Sequence, residues 1–139
     1  MAKPKLTYRH VILHAISGGR IDPSNDQAGF LKLKTTGRKS GKERTVTLLY
    51  ITDGDAYVVT ASNAGKDSHP GWYFNVQSNP EVTIQVKQQA KKATAKVAGP
   101  EKRSELWPRL LEIAPMYAGY EKRVSREIPM VLLRPHPGD

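Results

Sequence analysis

Val46-Thr47-Leu48-Leu49-Tyr50-Ile51-Thr52-Asp53-Gly54-Asp55-Ala56-Tyr57-Val58-Val59-Thr60 reads as two strands joined by a tight turn. Asp-Gly between β-branched and aromatic runs is a strong hairpin signal, because glycine readily takes the positive φ such turns need. The apolar residues of both runs are continuous rather than alternating. Strands of that kind are expected to be buried on both faces, as in a barrel with helical additions.

Reading outward, Phe30, Leu31 and Leu33 form an earlier strand. Residues 70 to 77 read as a short helix closed by Asn79-Pro80. Val82-Thr83-Ile84-Gln85-Val86 and Thr94-Ala95-Lys96-Val97 pair as a hairpin around Gln88-Gln89-Ala90-Lys91. Gly99-Pro100 opens a helix whose stripe of Leu106, Trp107, Leu110, Leu111 and Ile113 faces the core until Pro115. Ile128, Met130, Val131, Leu132 and Leu133 give a last strand. At the start of the chain, Leu6, Tyr8, Val11, Ile12, Ala15 and Ile16 recur at helical spacing until Gly18-Gly19, and a loop follows over residues 22 to 26. The expected fold class is mostly β with helices (α+β): about six antiparallel strands plus two to four helices. The 139 residues are read as a single domain, with an N-terminal helix and loop over 1–28 and a barrel over 29–139.

A composition of 38% hydrophobic and 25% charged residues is that of an ordinary globular protein. The absence of cysteine excludes disulfides, thiolate catalysis and cysteine-ligated metal centres. Only His10 and His14 share a helical spacing, and with no carboxylate nearby no metal site is assigned. The net charge of +9 favours anionic partners. No apolar run approaches the ~20 residues that span a bilayer, and no signal segment is evident, so a cytoplasmic location is expected. The N-terminal helix is expected to pack on the domain, with at most a weak membrane-surface contact.

Thr36-Gly37-Arg38-Lys39-Ser40-Gly41-Lys42-Glu43-Arg44 joins the first two strands. Four cations, two glycines and two hydroxyls make either a cradle for phosphate and carboxylate groups or a solvated basic turn. A second unusual segment, Ala61-Ser62-Asn63-Ala64-Gly65 followed by His69-Pro70-Gly71-Trp72-Tyr73-Phe74-Asn75, suggests one composite site. No nucleophile triad, paired acid catalysts or Walker-type loop can be drawn, so an organic cofactor is the natural source of activity. Trp72, Tyr73 and Phe74 either wall a planar ring or pack in the core.

Thr35-Thr36-Gly37-Arg38-Lys39-Ser40-Gly41, Arg44, Leu48, Ala61-Ser62, His69-Pro70-Gly71-Trp72-Tyr73, Asn75, Asn79-Pro80 and Arg126-Glu127-Ile128-Pro129 together resemble the deazaflavin-dependent nitroreductase family. The resemblance implies a split β-barrel related to FMN-binding proteins, and coenzyme F420 with its phosphodiester and polyglutamate tail. It also implies hydride transfer to a small-molecule electron acceptor such as a quinone or nitro compound. Arg38, Lys39, Ser40 and Arg44 would hold the phosphate and tail. Thr60, Ala61, Ser62, Asn63, Pro70, Trp72 and Asn75 would position the ring. Tyr117, Tyr120 and Ser62 would border the acceptor and donate a hydrogen bond or proton. Two residues depart from the pattern: Asn63 replaces a common lysine, and Thr47 replaces a usual proline. FMN in the same barrel is the alternative cofactor. A nucleic-acid-binding barrel is not expected, since the hairpin carrying Lys87, Lys91, Lys92 and Lys96 lacks interleaved aromatics. Split barrels often dimerise, which leaves a homodimer open.

Overall fold

The computed structural model describes residues 27–137. The expected N-terminal helix, the His10/His14 pair and the 22–26 loop lie outside the described residues. Six strands close into an antiparallel barrel in the order β1-β2-β3-β6-β5-β4: β1 (Ala28–Thr36), β2 (Glu43–Asp53), β3 (Ala56–Thr60), β4 (Glu81–Val86), β5 (Gln89–Val97) and β6 (Met130–Pro135). Closure comes from β1 pairing with β4, Leu33 opposite Ile84. Three α-helices complete the described chain: α1 (Gly71–Ser78), α2 (Pro100–Ile113) and α3 (Met116–Arg123). The split-barrel expectation holds.

Why β2, β3 and β6 lack polar alternation is now plain. Their inward residues Tyr50, Val59, Val131 and Leu133 fill the lumen with Leu31, Leu33 and Ile84. Their outward residues Leu49, Ile51, Val58, Met130 and Leu132 meet Leu106, Trp107, Leu110 and Ile113 of α2. Each such buried side chain contributes about 1.5–3 kcal/mol of transfer free energy. Trp72, Tyr73 and Val76 of α1 join the lumen cluster. Gly29 stands opposite Tyr50. A Cβ there would lie 3.0–3.2 Å from the phenol, so glycine makes room for the ring.

Three details differ from the sequence reading. The β4–β5 connection is a two-residue turn at Lys87-Gln88, both with positive φ (51° and 69°), so β5 starts at Gln89. Neither residue is glycine, which hid the turn. Helix α3 has no counterpart among the elements expected from the sequence. The last strand starts at Met130 rather than Ile128, because Pro129 has no N–H to give a ladder. The backbone oxygen of Ile128 instead accepts Arg103 Nε at 2.9 Å. Among the described residues no helix is long and apolar enough to cross a membrane, and no cluster of potential metal ligands occurs.

Candidate functional site

The basic turn is held by its own backbone. Gly37 N–H donates to Lys42 O (2.7 Å), Gly41 N–H to Gly37 O (2.9 Å), and Lys42 N–H to Ser40 Oγ (3.1 Å). Gly41 sits at φ 72°, where side chains are strained. Helix α1 fastens the turn from outside: Arg38 N–H donates to Asn75 Oδ1, and Asn75 Nδ2 donates to the buried Thr35 Oγ1 (3.0 Å). The Arg38 guanidinium lies 4.8 Å from the centre of the Phe74 ring. Among the described residues, Arg38, Lys39 and Arg44 have no carboxylate partner.

These cations border a groove of about 540 Å³ that is completed by Ser40, Pro70, Gly71, Trp72 and Asn75. The N-terminus of α1 contributes to it through Gly71 and Trp72, with no side chain capping its first N–H groups. The helix dipole therefore adds positive potential to that of the side chains. A second compartment of about 300 Å³ adjoins, lined by Phe30, Leu48, Thr60, Ser62, Met116 and Tyr117. Val46, Asn63, Pro70 and Trp72 line both, so charged groove and apolar compartment form one cleft.

Between β3 and α1 the chain makes a left-handed turn: Asn63, Ala64 and Gly65 have φ of 49°, 56° and 82°. A left-handed backbone costs about 1–2 kcal/mol for a residue such as alanine. Gly65 N–H to Ser62 O (2.9 Å), Lys66 N–H to Asn63 O (3.1 Å) and Asn63 Nδ2 to Ser68 O (3.0 Å) close it from within. The Arg126 guanidinium grips it from outside, donating to Ser62 O, Lys66 O and His69 Nδ1. Since arginine can only donate, His69 Nδ1 accepts and that ring is neutral. Burial, followed by the charge of Arg126, lowers the His69 pKa.

Tyr117 is buried at the floor of the apolar compartment. Desolvation pushes its pKa up to about 12, the neighbouring Tyr120 adds to this, and a hydrogen bond with Ser62 opposes it. The phenol is thus protonated at any ordinary pH. Tyr120 packs edge-on to Tyr117 (5.3 Å between centres), beside Gly65 and near the Arg123 guanidinium. Its hydroxyl points to Met116 Sδ at 3.9 Å, and Tyr120 lines neither compartment.

Of the residues singled out in the sequence, Arg38, Lys39, Ser40, Arg44, Asn63, Pro70, Trp72 and Asn75 meet at the groove, and Thr60, Ser62 and Tyr117 at the adjoining compartment. Ala61 does not reach the cleft. It is fully buried in the lumen, and its N–H donates to Pro129 O at 2.9 Å. Phe30, Val46 and Met116 line the cleft without having stood out in the sequence. Phe30 and Val46 read only as strand residues, and Met116 belongs to the unforeseen α3. Arg126 belongs to a motif of the resemblance but drew no role in the site, for its partners lie 57 to 64 positions away.

The family model described as F420H(2)-dependent quinone reductase matches residues 9–135. An F420H(2)-dependent quinone reductase of Mycobacterium tuberculosis (strain ATCC 25618 / H37Rv) is 42% identical over 106 residues, covering 74% of this chain and 71% of the relative. A solved structure described as an F420-H2 dependent reductase superposes with TM-score 0.69 at 36% identity, over 76% of this chain and 93% of that one. Another, described as a domain-swapped dimer, gives TM-score 0.70 at 30% identity over 94% and 96% of the two chains.

Proposed function

The chain belongs to the F420H(2)-dependent quinone reductase family, and from that premise we propose how its cleft serves the reaction. The protein is an F420-dependent oxidoreductase whose acceptor is a quinone or a similar electrophile. Reduced F420, when bound, supplies the hydride.

The donor set fits this coenzyme. Its tail carries one phosphate and several carboxylates, and the groove offers Arg38, Lys39 and Arg44 without a competing carboxylate among the described residues, together with the Ser40 hydroxyl and the start of α1. Charge-assisted hydrogen bonds to such groups are the strong ones. Trp72, Pro70 and Val46 lie where the groove meets the apolar compartment and would orient the ring there. Holding ring and acceptor at contact distance is the main catalytic work left to the protein.

Tyr117 and Ser62 would face the acceptor oxygen as it gains charge. With a pKa of about 12, the Tyr117 hydroxyl is a persistent hydrogen-bond donor and a reluctant source of protons. Phe30, Leu48 and Met116 would shield this pair from water. We extend the acceptor range to nitro compounds on the same ground, since their oxygens also gain charge on reduction. A homodimer belongs to this reading, suggested by the related structure described as a domain-swapped dimer.

One observation carries the assignment: a turn whose cations meet no carboxylate among the described residues opens directly onto an apolar compartment floored by a protonated phenol. It is tested by fluorescence titration of the protein with F420 and with FMN at low and moderate salt. Saturable, salt-sensitive binding of F420 in preference to FMN is expected. Equal or preferential binding of FMN would overturn the role given to the basic turn.

A further inference from the structure

We propose that Arg126 is a positioning residue of the reductase, holding the left-handed turn that lines the apolar compartment and, through Asn63, the groove. The proposal rests on the functional reading above and adds to it a residue outside the cleft. Arg126 lines neither compartment. Its contacts fall on both ends of the turn: Nη2 donates to Ser62 O at 3.0 Å and to Lys66 O at 3.0 Å, and Nε to Lys66 O at 3.2 Å. Nη1 reaches His69 Nδ1 at 3.0 Å, one residue before Pro70 at the mouth of α1.

The turn needs such a clamp. Asparagine tolerates left-handed backbone, but Ala64 does not favour it, and strained residues persist only where their surroundings over-determine them. Ser62, Asn63 and Ala64 all line the apolar compartment, and Asn63 also lines the groove. Should the turn relax, the wall against which ring and acceptor are aligned would shift, while the Arg38–Arg44 cradle would stay in place. Binding and turnover should therefore respond differently. A planar guanidinium can serve three acceptors at once, whereas an ammonium on a flexible stem cannot reproduce that fork.

The test uses the full chain carrying Arg126→Lys, Arg126→Ala, and Arg126→Ala combined with Ala64→Gly. F420 affinity, kcat with reduced F420 and a soluble quinone, and thermal midpoint are measured for each. Both single variants should lose about tenfold or more in kcat while F420 affinity changes by less than about threefold, because misalignment affects the transfer step most. Added methylguanidinium should restore part of the activity of Arg126→Ala, and Ala64→Gly should restore part by removing the strain. Amide exchange at Gly65 and Lys66 should quicken in Arg126→Lys, a readout independent of turnover. Unchanged kcat and exchange would overturn the proposal. So would a loss of kcat and affinity in step with thermal midpoint and without rescue, which would leave Arg126 a structural tie only. Failure of the functional reading would be seen separately, as wild-type protein that binds no F420.

Discussion

Asn75 Oδ1 accepts the backbone N–H of Arg38 at 3.1 Å, so a buried side chain of helix α1 fixes the basic turn. The same carboxamide donates to Thr35 on β1. Strand, turn and helix thus meet on one side chain. Asn75→Ala strands a buried hydroxyl and should cost about 1–3 kcal/mol in chemical denaturation. It should also weaken F420 binding by about tenfold, the effect of losing roughly 1.4 kcal/mol of preorganisation.

Arg38 and Lys39 meet no carboxylate among the described residues, so their charge is available to a ligand. Arg38→Ala and Lys39→Ala should each weaken F420 binding by about tenfold, and the double variant by about a hundredfold. The salt dependence of the binding constant should flatten in parallel. FMN, with a single phosphate, should lose less. A titration series at three ionic strengths decides the matter, and an unchanged salt slope would remove the turn from the site.

For the acceptor end, Tyr117→Phe should lower kcat by about a hundredfold, the usual effect of deleting one donor to a developing oxyanion. F420 affinity should stay within about threefold of wild type, since about 1 kcal/mol is already a fivefold change. Tyr120→Phe should be milder, because its hydroxyl faces Met116 and not the cleft. Steady-state kinetics with a soluble quinone rank the two variants, and a larger effect at Tyr120 would reverse their roles.

The same phenol makes stability depend on pH at the alkaline end. The folded pKa of Tyr117 is raised from 10.0 to about 12, so its contribution is whole below pH 10 and lost as pH rises toward 12. The loss should reach about 2–3 kcal/mol, because a tenfold change in proton affinity is worth about 1.4 kcal/mol. Denaturation between pH 9 and 12 should show a shallower decline for Tyr117→Phe than for wild type.

His69 acts with the opposite sign. Its pKa is lowered by burial and by Arg126, so its contribution is whole above pH 6.5 and is lost as pH falls through the folded value. Protonation removes the acceptor that Arg126 uses. The thermal midpoint of wild type should fall on acidification below pH 6.5, and that component should be missing from His69→Gln. Identical profiles would separate the histidine from the clamp.

The barrel was legible because its determinants are local. Asp53-Gly54-Asp55 dictates a hairpin, and the apolar runs at 49–51 in β2, 58–59 in β3 and 130–133 in β6 leave no face for water. The basic turn was legible for the same reason, its cations and glycines being consecutive. What stayed hidden was whatever depends on distant or conflicting signals. Helix α3 follows Pro115 with a weak apolar pattern, Lys87-Gln88 turns without glycine, and Arg126 finds its partners across the fold. Ala61 and Tyr120 keep the company of the site in sequence, but the direction of the backbone at each turns the side chain away from the cleft.

Strands that bury both faces forgo the usual guard against misalignment. In an ordinary sheet a slip of one residue carries apolar groups into water and is rejected at once. At residues 49–51 of β2 the same slip would exchange one apolar set for another. The pairing of Gly29 with Tyr50 supplies a check of a different kind. Displacement by one position would set the phenol against the side chain of Ala28 or Phe30, where the space it now occupies does not exist. Alignment of these two strands is enforced by a vacancy of one methyl group, and enlarging that residue should be felt first in how faithfully the chain folds.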